Sequence, residues 1–491
     1  MIDILGRIPR GPDGLDRLLG ESRRAGISTV LAHADGALSF TTTGNREVLD
    51  ASARAGSTLL PIAVIAPERS TDPDVEIMRL AAAGFVGFRL GSVPWQGSPA
   101  VPSVATDRLL RSVARTGLPL FVAIERWGDS SAIGERTEKL GIPVILIGAH
   151  YNTIVDDLAA ADRFPHLRLD TSSLAHFGAI ERVVRVIGAE RLLLGTGLPH
   201  RAPRGPINAV ASAFIPDEAR RAILGGNAAR LFGLEAAVIE PPAPIVANGA
   251  IDVHVHLPPT PWDVPDMAPA ALLDALEPYG IGRVIASSVQ AIIGDASAGN
   301  AAIVVACAAD DRQRGYLVAD ASDLEGTREQ LRRWGGAPGI AGVKVHCQWS
   351  GHATGSSQIQ ALFELLADHG RPVKIHVDGA DWEEALLALA RRHPALPIIA
   401  AHAGPGAPHA GVGRVAAQTD NVYVELASSF AALDTVRELA QTVPPGRLLF
   451  GTDAPLLEPA FALGTYADAG LTPATHPAVF RESAIDLFEG E

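Results

Sequence analysis

The sequence predicts an α/β protein built from two tandem (β/α)8 TIM barrels. Three observations support this prediction: short runs rich in Val, Ile and Leu alternate with helix-length segments, each half of the 491-residue chain has eight such runs, and the two halves resemble each other. The buried strands of a parallel sheet read as continuous apolar runs, and the helices between them supply the crossovers. Eight βα units in about 245 residues match the usual size of one barrel.

The apolar runs define the predicted strands of each half. In the second half they are Ile251–His256, Arg283–Ser287, Gly315–Ala319, Val343–Cys347, Val373–Val377, Ile398–His402, Val422–Leu426 and Leu448–Thr452. In the first half they are Ile2–Leu5, Ser28–Ala32, Leu60–Ile65, Val86–Leu90, Leu120–Ile124, Val144–Ile147, Leu167–Leu169 and Leu192–Gly195. Segments such as Trp382–Arg392 and Ala432–Gln441 lie between the runs and predict helices.

The two halves form an internal repeat whose period is a whole domain. The matching segments are Ile2–Pro9 with Ile251–Pro258, Gly84–Leu90 with Gly339–Val345, and Arg191–Pro199 with Arg447–Pro455. The repeat predicts one barrel over residues 1–238 and a second over residues 250–491. Residues 239–249 between them are Pro-rich and are predicted to form a semi-rigid linker.

The composition excludes several classes of protein. A formal charge of −14 and a pI near 5.5 argue against a nucleic-acid partner or an anionic membrane surface, because both require a basic field. No uncharged apolar stretch is long enough to span a bilayer. Two cysteines exclude a disulfide scaffold and fit a reducing compartment, so we expect a cytoplasmic protein.

Five ligand-type residues lie on the predicted strands of the second barrel. His254 and His256 form an H-x-H pair on its first strand, and side chains two apart on a strand point the same way. The fifth, sixth and eighth strands end in His376, His402 and Asp453. All of these positions are near the carboxyl ends of strands, where barrel enzymes place their sites. Imidazole plus carboxylate suits zinc, with manganese or iron as alternatives.

This pattern resembles the amidohydrolase superfamily, especially the branch related to aminocarboxymuconate semialdehyde decarboxylase. The branch has H-x-H on strand one, His on strands five and six, and Asp on strand eight, as this chain does. The resemblance implies that one metal is bound by His254, His256, His376 and Asp453. It also implies a catalytic role for His402, which assists the activated water or the substrate. From its chemistry, we expect the catalytic carboxylate of Asp453 to accept a proton from the water.

Lys344 and Lys374 occur in nearly identical contexts on the fourth and fifth strands, each two residues before a histidine. Both are predicted to point into the barrel, and a buried lysine must be paired, neutralised or modified. Lys344 is at the place of the carboxylated lysine that bridges two ions in two-metal amidohydrolases. A single ion is favoured, with a pair bridged by carboxylated Lys344 as the alternative, or a structural role beside Asp252 or Glu425. The candidates for substrate contact are His346, Gln348 and Trp349.

In the first barrel, none of the five corresponding site positions holds a ligand-type residue. The repeat places non-ligand residues at every one of them: Leu5, Arg7, Ala123, Gly148 and Gly197. Arg89 takes the place of Lys344, and His150 lies two residues beyond the strand-six position. We therefore expect a degenerate barrel without a catalytic metal, arranged with the second barrel as an intramolecular pseudo-dimer. In that arrangement Arg7, Arg89 or Arg126 would bind an anionic substrate; the alternative is a barrel that only covers an apolar face of its neighbour.

The sequence thus predicts a metal-dependent hydrolase in which activated water attacks an amide, lactone or other acyl bond of a small molecule. The alternative on the same metal platform is a non-oxidative decarboxylase of an aromatic or unsaturated carboxylic acid. A third hypothesis is a non-catalytic binding protein formed by two degenerate barrels. The first half fits that hypothesis, whereas the complete ligand set of the second half does not.

Overall fold

The computed structural model describes residues 1–69, 72–91, 103–235 and 239–489. The chain divides into two compact units, Met1–Pro244 and Ile245–Glu491. Each unit contains an eight-stranded parallel sheet with its strands in sequence order. The predicted pair of tandem (β/α)8 barrels is therefore confirmed. Residues 238 and 491, which end the two predicted barrels, lie outside the described residues.

The first unit closes its sheet between the first and last strands. Its strands are β1 (Ile2–Ile8), β2 (Thr29–Ala34), β3 (Leu59–Ile65), β4 (Gly87–Leu90), β5 (Leu120–Ala123), β6 (Val144–Ile147), β7 (Leu167–Asp170) and β8 (Leu192–Leu193). Its α-helices are α1 (Gly14–Arg24), α2 (Thr41–Ala55), α3 (Pro73–Ala82), α4 (Val104–Ala114), α5 (Asp129–Thr137), α6 (Ile154–Arg163), α7 (Ala179–Ile187), α8 (Arg204–Ser212), α9 (Asp217–Arg221) and α10 (Asn227–Phe232). The Ile4 N–H donates to the Leu194 carbonyl at 2.9 Å, which joins β1 to the segment after β8.

The second unit closes in the same way. Its strands are β9 (Ala250–Leu257), β10 (Ile281–Ser288), β11 (Gln313–Ala319), β12 (Ile340–His346), β13 (Val373–His376), β14 (Ile398–Ala400), β15 (Val422–Glu425) and β16 (Leu448–Leu449). Its α-helices are α11 (Pro269–Leu276), α12 (Val289–Ile293), α13 (Ala296–Ala309), α14 (Leu324–Trp334), α15 (Cys347–Ser350), α16 (Ser357–His369), α17 (Trp382–Arg392), α18 (Ala410–Ala417), α19 (Leu433–Thr442), α20 (Pro459–Asp468) and α21 (Ser483–Phe488). The Val253 N–H donates to the Phe450 carbonyl at 2.9 Å.

Every predicted strand overlaps an observed one, but the last strand of each barrel is shorter than predicted. β8 stops at Leu193 and β16 at Leu449. Beyond Leu193 the backbone leaves the strand ladder, and the Gly195 N–H donates to the Thr171 hydroxyl instead. β14 ends at Ala400 rather than at His402, because His402 has a left-handed backbone with φ 59°.

One buried aspartate locks each barrel at this junction, and we call this arrangement the closing contact. In the first unit Asp3 accepts hydrogen bonds from the Thr196 N–H at 3.0 Å and the Thr196 hydroxyl at 2.5 Å. In the second unit Asp252 accepts from the Thr452 N–H at 3.1 Å and the Thr452 hydroxyl at 2.5 Å. A buried carboxylate is tolerated only with such partners. The closing contacts also support the sequence alignment of the two halves, because each contact lies within two residues of site positions that the alignment compares.

The strand register sets the layers inside the second barrel. Lys344 pairs with Lys374 across β12 and β13, and one layer higher His346 pairs with His376. Below them lies an apolar core that includes Val253, Ile285, Tyr316, Ile399 and Leu449. The layer of histidines at the carboxyl ends of the strands is therefore supported from below by two lysines and then by the packed core.

In the described ranges, no helix combines the length and the apolar character that crossing a bilayer requires. Cys307 and Cys347 are both buried and free.

Candidate metal centre

Three side chains converge at the rim of the second barrel. His254 and His256 point to the same side of β9, and their Nε2 atoms lie 3.2 Å apart. The Oδ1 atom of Asp453 lies 2.9 Å from His256 Nε2 and 3.4 Å from His254 Nε2. All three residues are buried. Nitrogen and carboxylate ligands are thus within the range of one another that a shared ion requires.

The other ring nitrogens are engaged in contacts that orient these rings. His254 Nδ1 lies 2.7 Å from Glu425 Oε1, and His256 Nδ1 lies 3.1 Å from the Ser287 hydroxyl. The Nδ1 atom of His402 lies 2.7 Å from the Ala427 carbonyl oxygen, so this nitrogen carries the proton. A carboxylate or carbonyl on Nδ1 fixes the tautomer whose Nε2 lone pair is available to a metal or a substrate.

His402 and His376 complete a ring of imidazoles. The His402 ring centroid lies 4.7 Å from that of His254 and 4.8 Å from that of His376. Ligand atoms of His254, His402 and Asp453 all lie within 4.8 Å of one another. Among the described residues the buried Nδ1 atom of His376 has no hydrogen-bond partner. Such an orphaned nitrogen in this position fits the role of a metal ligand.

The spacing of these atoms fits a small divalent ion. Two ligands about 2.1 Å from a tetrahedrally coordinated ion are about 3.4 Å apart. At a ligand–metal–ligand angle of 90° the same ligands would be about 3.0 Å apart. The separations among His254, His256 and Asp453, 2.9–3.4 Å, lie close to the range between these two values. These ligand atoms therefore fit the divalent metal ion that the sequence pattern implies.

The protonation states also suit metal binding. Burial holds the pKa of His254 and His376 well below the usual value and lowers the pKa of His256, so these rings are neutral. Burial alone would raise the pKa of Asp453, but its contact with His256 and the positive charge of Lys344 lower it. Neutral imidazoles and an ionised carboxylate are the forms that bind a cation.

The backbone is strained at two of the predicted site residues. Among the described non-glycine residues, positive φ occurs at His402 (59°), Ala403 (52°) and Asp453 (67°). Such conformations cost about 1–3 kcal/mol each and are concentrated at functional sites. In the first unit the aligned positions are Gly148 (φ 94°) and Gly197 (φ 74°), for which a left-handed backbone costs little.

The two interior lysines have different surroundings. Lys374 donates to the Val253 carbonyl at 2.8 Å and lies 3.8 Å from Glu425 Oε1. The buried Nζ atom of Lys344 has no hydrogen-bond partner within the described part of the chain. Burial lowers the pKa of Lys344 to about 8, although the carboxylates of Asp453 and Glu425 act in the opposite direction. The pairing with Glu425 that the sequence suggested for Lys344 is therefore made by Lys374.

The predicted substrate-contact residues fall into two groups. His346 stacks on His376 with centroids 4.1 Å apart, and burial lowers the pKa of His346 to about 2. Trp349 is half exposed and lies beside both His346 and Trp262, with centroids 6.5 and 6.4 Å apart. Gln348 is exposed on α15, without a described side-chain contact to the histidines. The structure thus brings His346 to the site and places Trp349 one step further out.

Sequence reasoning did not assign two of the supporting residues. Glu425 is the only acidic residue of β15, and besides His254 its Oε1 accepts the His402 N–H at 2.7 Å. Ser287 aligns with His256 across β10 and β9. The signal for Glu425 was present, since a lone carboxylate at the end of a buried strand requires partners. Nothing in the sequence distinguished Ser287 from the serine that follows it.

Comparison with models of protein families identifies the family of this chain. The family model described as Amidohydrolase matches residues 9–234 and, a second time, residues 251–490. The chain belongs to the amidohydrolase family. Membership confirms the resemblance inferred from the sequence and the prediction of an enzyme, and the two matched segments correspond to the two units of this amidohydrolase.

Three solved structures are reported as similar to this amidohydrolase, each over about half of the chain. A 5-carboxyvanillate decarboxylase from Sphingomonas paucimobilis has 14% identity and a TM-score of 0.38, covering 48% of this chain and 99% of that one. A dihydroxybenzoic acid decarboxylase from a Polaromonas species, solved with manganese and 2-nitroresorcinol, has 18% identity and a TM-score of 0.39, covering 49% and 97%. A protein described as a 2-pyrone-4,6-dicarboxylic acid hydrolase from Pseudomonas putida has 18% identity and a TM-score of 0.38, covering 48% and 98%. No curated protein sequence matches this chain significantly.

Proposed function

We propose that the second unit is a metal-dependent hydrolase that acts on an amide, lactone or other acyl bond of a small molecule. The observation that carries this proposal is the convergence of His254, His256 and Asp453, whose ligand atoms lie 2.9–3.4 Å apart. The strained backbone of His402 and Asp453 adds support, because such strain persists where function requires it.

Four residues would hold one divalent ion in this proposal: His254, His256, His376 and Asp453. Zinc is the first expectation, with manganese and iron as alternatives, because imidazole and carboxylate serve all three. When bound, such an ion supplies Lewis-acid polarisation and lowers the pKa of water at the site toward about 7. Glu425 orients His254 for this role through the 2.7 Å contact with Nδ1.

Asp453 and His402 handle the protons. Asp453 is ionised and buried beside the attacking position, so it accepts the proton that the water loses and returns it to the leaving group. Because His402 carries its proton on Nδ1, its Nε2 lone pair faces the site and accepts a hydrogen bond from water or substrate.

Lys344 supplies positive charge below the histidine layer. Its buried amine has no hydrogen-bond partner among the described residues, so an oxyanion or a carboxylate that enters the site would supply one. His346, Trp349 and the exposed Gln348 remain candidates for substrate contact around this position.

Decarboxylation of an aromatic or unsaturated acid is the second candidate function, and one observation favours it. A buried unpartnered amine beside a metal site suits an acidic substrate, because a substrate carboxylate would compensate its charge. Both reactions use the same ligands, so Lys344 alone does not decide between them.

Elemental analysis of the purified chain tests the metal site first. We expect about one ion per chain, and about two would instead indicate the pair bridged by carboxylated Lys344. Turnover in heavy-oxygen water then separates the reactions, since hydrolysis places the label in the organic product, whereas decarboxylation releases carbon dioxide and leaves the organic product unlabelled. A chain without metal that shows no turnover after incubation with zinc or manganese would contradict the proposal.

The first unit, in the same proposal, is a barrel without a catalytic metal. The closing contact of Asp3 and Thr196 supports the alignment that puts Leu5 and Gly197 at the positions of His254 and Asp453. Arg126 is exposed and donates its backbone N–H to Asp129. The intramolecular pseudo-dimer stays a prediction.

A further inference from the structure

The rim of the first barrel concentrates basic side chains where the second barrel has metal ligands. Arg7 takes the position of His256, and Arg89 takes the position of Lys344. Arg7 lies next to His33 in the register of β1 and β2, so both belong to one layer. Arg89 aligns with the core residue Phe121, which places its side chain on the interior face of β4.

The two carboxylates near these side chains are already engaged. Asp35 contacts Arg7 Nε at 2.8 Å and His200 Nε2 at 2.6 Å. Asp170 accepts the N–H groups of Gly148 and Ser172, each at 2.9 Å. Neither carboxylate lies within ion-pair distance of Arg89, whose guanidinium has no described hydrogen bond or ion pair of its own.

A buried polar atom in this layer lacks a partner. His33 is 2% exposed, and its Nε2 atom has no hydrogen-bond partner in the described part of the chain. The positive charges of Arg89, Arg7 and His200 add to burial in holding the pKa of His33 well below its usual value. Burial, with Arg7 nearby, also lowers the pKa of Arg89 to about 10. Arg7 is paired with Asp35, whereas Arg89 has no described ion pair, so a bound anion would supply its counter-charge.

We propose that the first unit binds a small oxyanion, a carboxylate or phosphate group, at its rim between Arg7, His33 and Arg89. A guanidinium forms two parallel hydrogen bonds with either group, and a neutral His33 adds one donor when Nε2 carries its proton. Arg7 thus stands where the second unit has the metal ligand His256, and Arg89 stands where it has Lys344. The inference does not depend on the catalytic activity of the second unit.

Calorimetric titration of the full-length, metal-loaded chain tests this site with two probes, inorganic phosphate and succinate. We expect at least one probe to bind at millimolar concentration or below, and to bind more weakly as salt increases. Binding of phosphate alone or of succinate alone identifies the source of the oxyanion. Arg89→Met should weaken binding about tenfold or more, because it removes a charge-assisted pair of hydrogen bonds.

Three variants make the result specific. Arg111→Met, at an exposed arginine on α4, is the matched control and should bind as the wild type does. His254→Ala, which disrupts the metal centre of the second unit, should also bind normally. If Arg89→Met fails to fold, the partly exposed Arg7→Met gives the same test. Failure of both probes to bind, unchanged binding by the folded arginine variant, or loss of binding in His254→Ala would overturn the proposal.

Discussion

The two units close their barrels with the same contacts but present different chemistry at the rim. Asp3 with Thr196 and Asp252 with Thr452 form equivalent closing contacts, with hydroxyl-to-carboxylate distances of 2.5 Å in both. Two residues after this aspartate, the first unit has Leu5 where the second has His254. The comparison shows that closure of the barrel does not depend on the ligands, so the rim can change its chemistry without loss of the fold.

A second equivalence extends this to the helices. Asn45 on α2 exchanges two hydrogen bonds with the Val64 backbone on β3, at 2.8 and 2.9 Å. Asn300 on α13 exchanges two with the Val318 backbone on β11, at 3.0 and 2.8 Å. Each asparagine follows a glycine, and a Cβ on Gly299 would lie 2.5 Å from the Ala291 nitrogen. The units therefore share their supports and differ in the groups that those supports hold.

Loss of metal is the largest expected effect. His254→Ala removes a ligand and should reduce the bound metal from about one ion per chain to a trace, with turnover at least about 100-fold lower. Elemental analysis and the turnover assay measure both. His150→Ala in the first unit is the control and should retain the metal. Equal metal content in the two variants would contradict the proposal that only the second unit binds the metal.

Glu425→Gln tests the orientation of His254 and should have the next largest effect. The substitution removes the charge that holds Nδ1, so metal affinity should fall about 10–100-fold without unfolding. Competition with a chelator measures the affinity. Asp170→Asn changes the residue that takes the same place in the first unit, where Asp170 bonds the Gly148 N–H as Glu425 bonds the His402 N–H. That variant should leave metal affinity unchanged, and a similar loss in both would contradict the assignment.

The shared supports predict similar rather than different effects. Asn45→Ala and Asn300→Ala should each destabilise their own unit by about 1–3 kcal/mol, because each leaves buried backbone groups without partners. Urea unfolding of the two variants measures this. A large loss in one variant and none in the other would show that the supports are not equivalent.

The smallest expected effect concerns pH. Burial raises the pKa of Asp3 from 3.8 to about 6, so between these values the folded state binds more protons than the unfolded state. The free energy of unfolding therefore falls as pH rises through this window. Asp3→Asn should flatten the fall, changing the difference in Tm from the wild type by about 6 °C across the window. Thermal unfolding at several pH values checks this, and parallel profiles for the two proteins would refute it.

Asp252 is the useful contrast for that measurement. Burial raises its pKa as well, but the nearby Lys374 acts to lower it, and Phe121 occupies the Lys374 position in the first unit. The Asp252→Asn profile should therefore differ from that of Asp3→Asn. Identical profiles would mean that Lys374 contributes nothing to the charge on Asp252.

The sequence predicted the strands and the convergence of the rim residues because both follow from short-range pattern. Apolar runs locate the strands, and a ligand-type residue at a strand end must lie at the barrel rim. Other features depended on three-dimensional contacts. Lys344 and Lys374 have almost the same neighbours in sequence, so only the structure shows that Lys374 reaches the Val253 carbonyl and Lys344 does not.

The sequence also did not predict where β14 and β16 end. An apolar run continues through His402, yet the backbone turns left-handed there, and the run gives no sign of that change. In the first unit the glycines at 148 and 197 were a sign, because glycine is the residue that tolerates positive φ. At these two positions, glycine in one half therefore marks the strained backbone of the other half.

The left-handed residues of the second rim have a consequence for how the protein moves. The free energy stored at His402, Ala403 and Asp453 is released whenever that segment opens, whereas Gly148 and Gly197 store little. The metal-free chain should therefore exchange amide hydrogens faster around residues 401–404 and 452–454 than at the corresponding turns of the first unit. Adding the ion should slow that exchange, since a ligand bound by the closed form opposes opening.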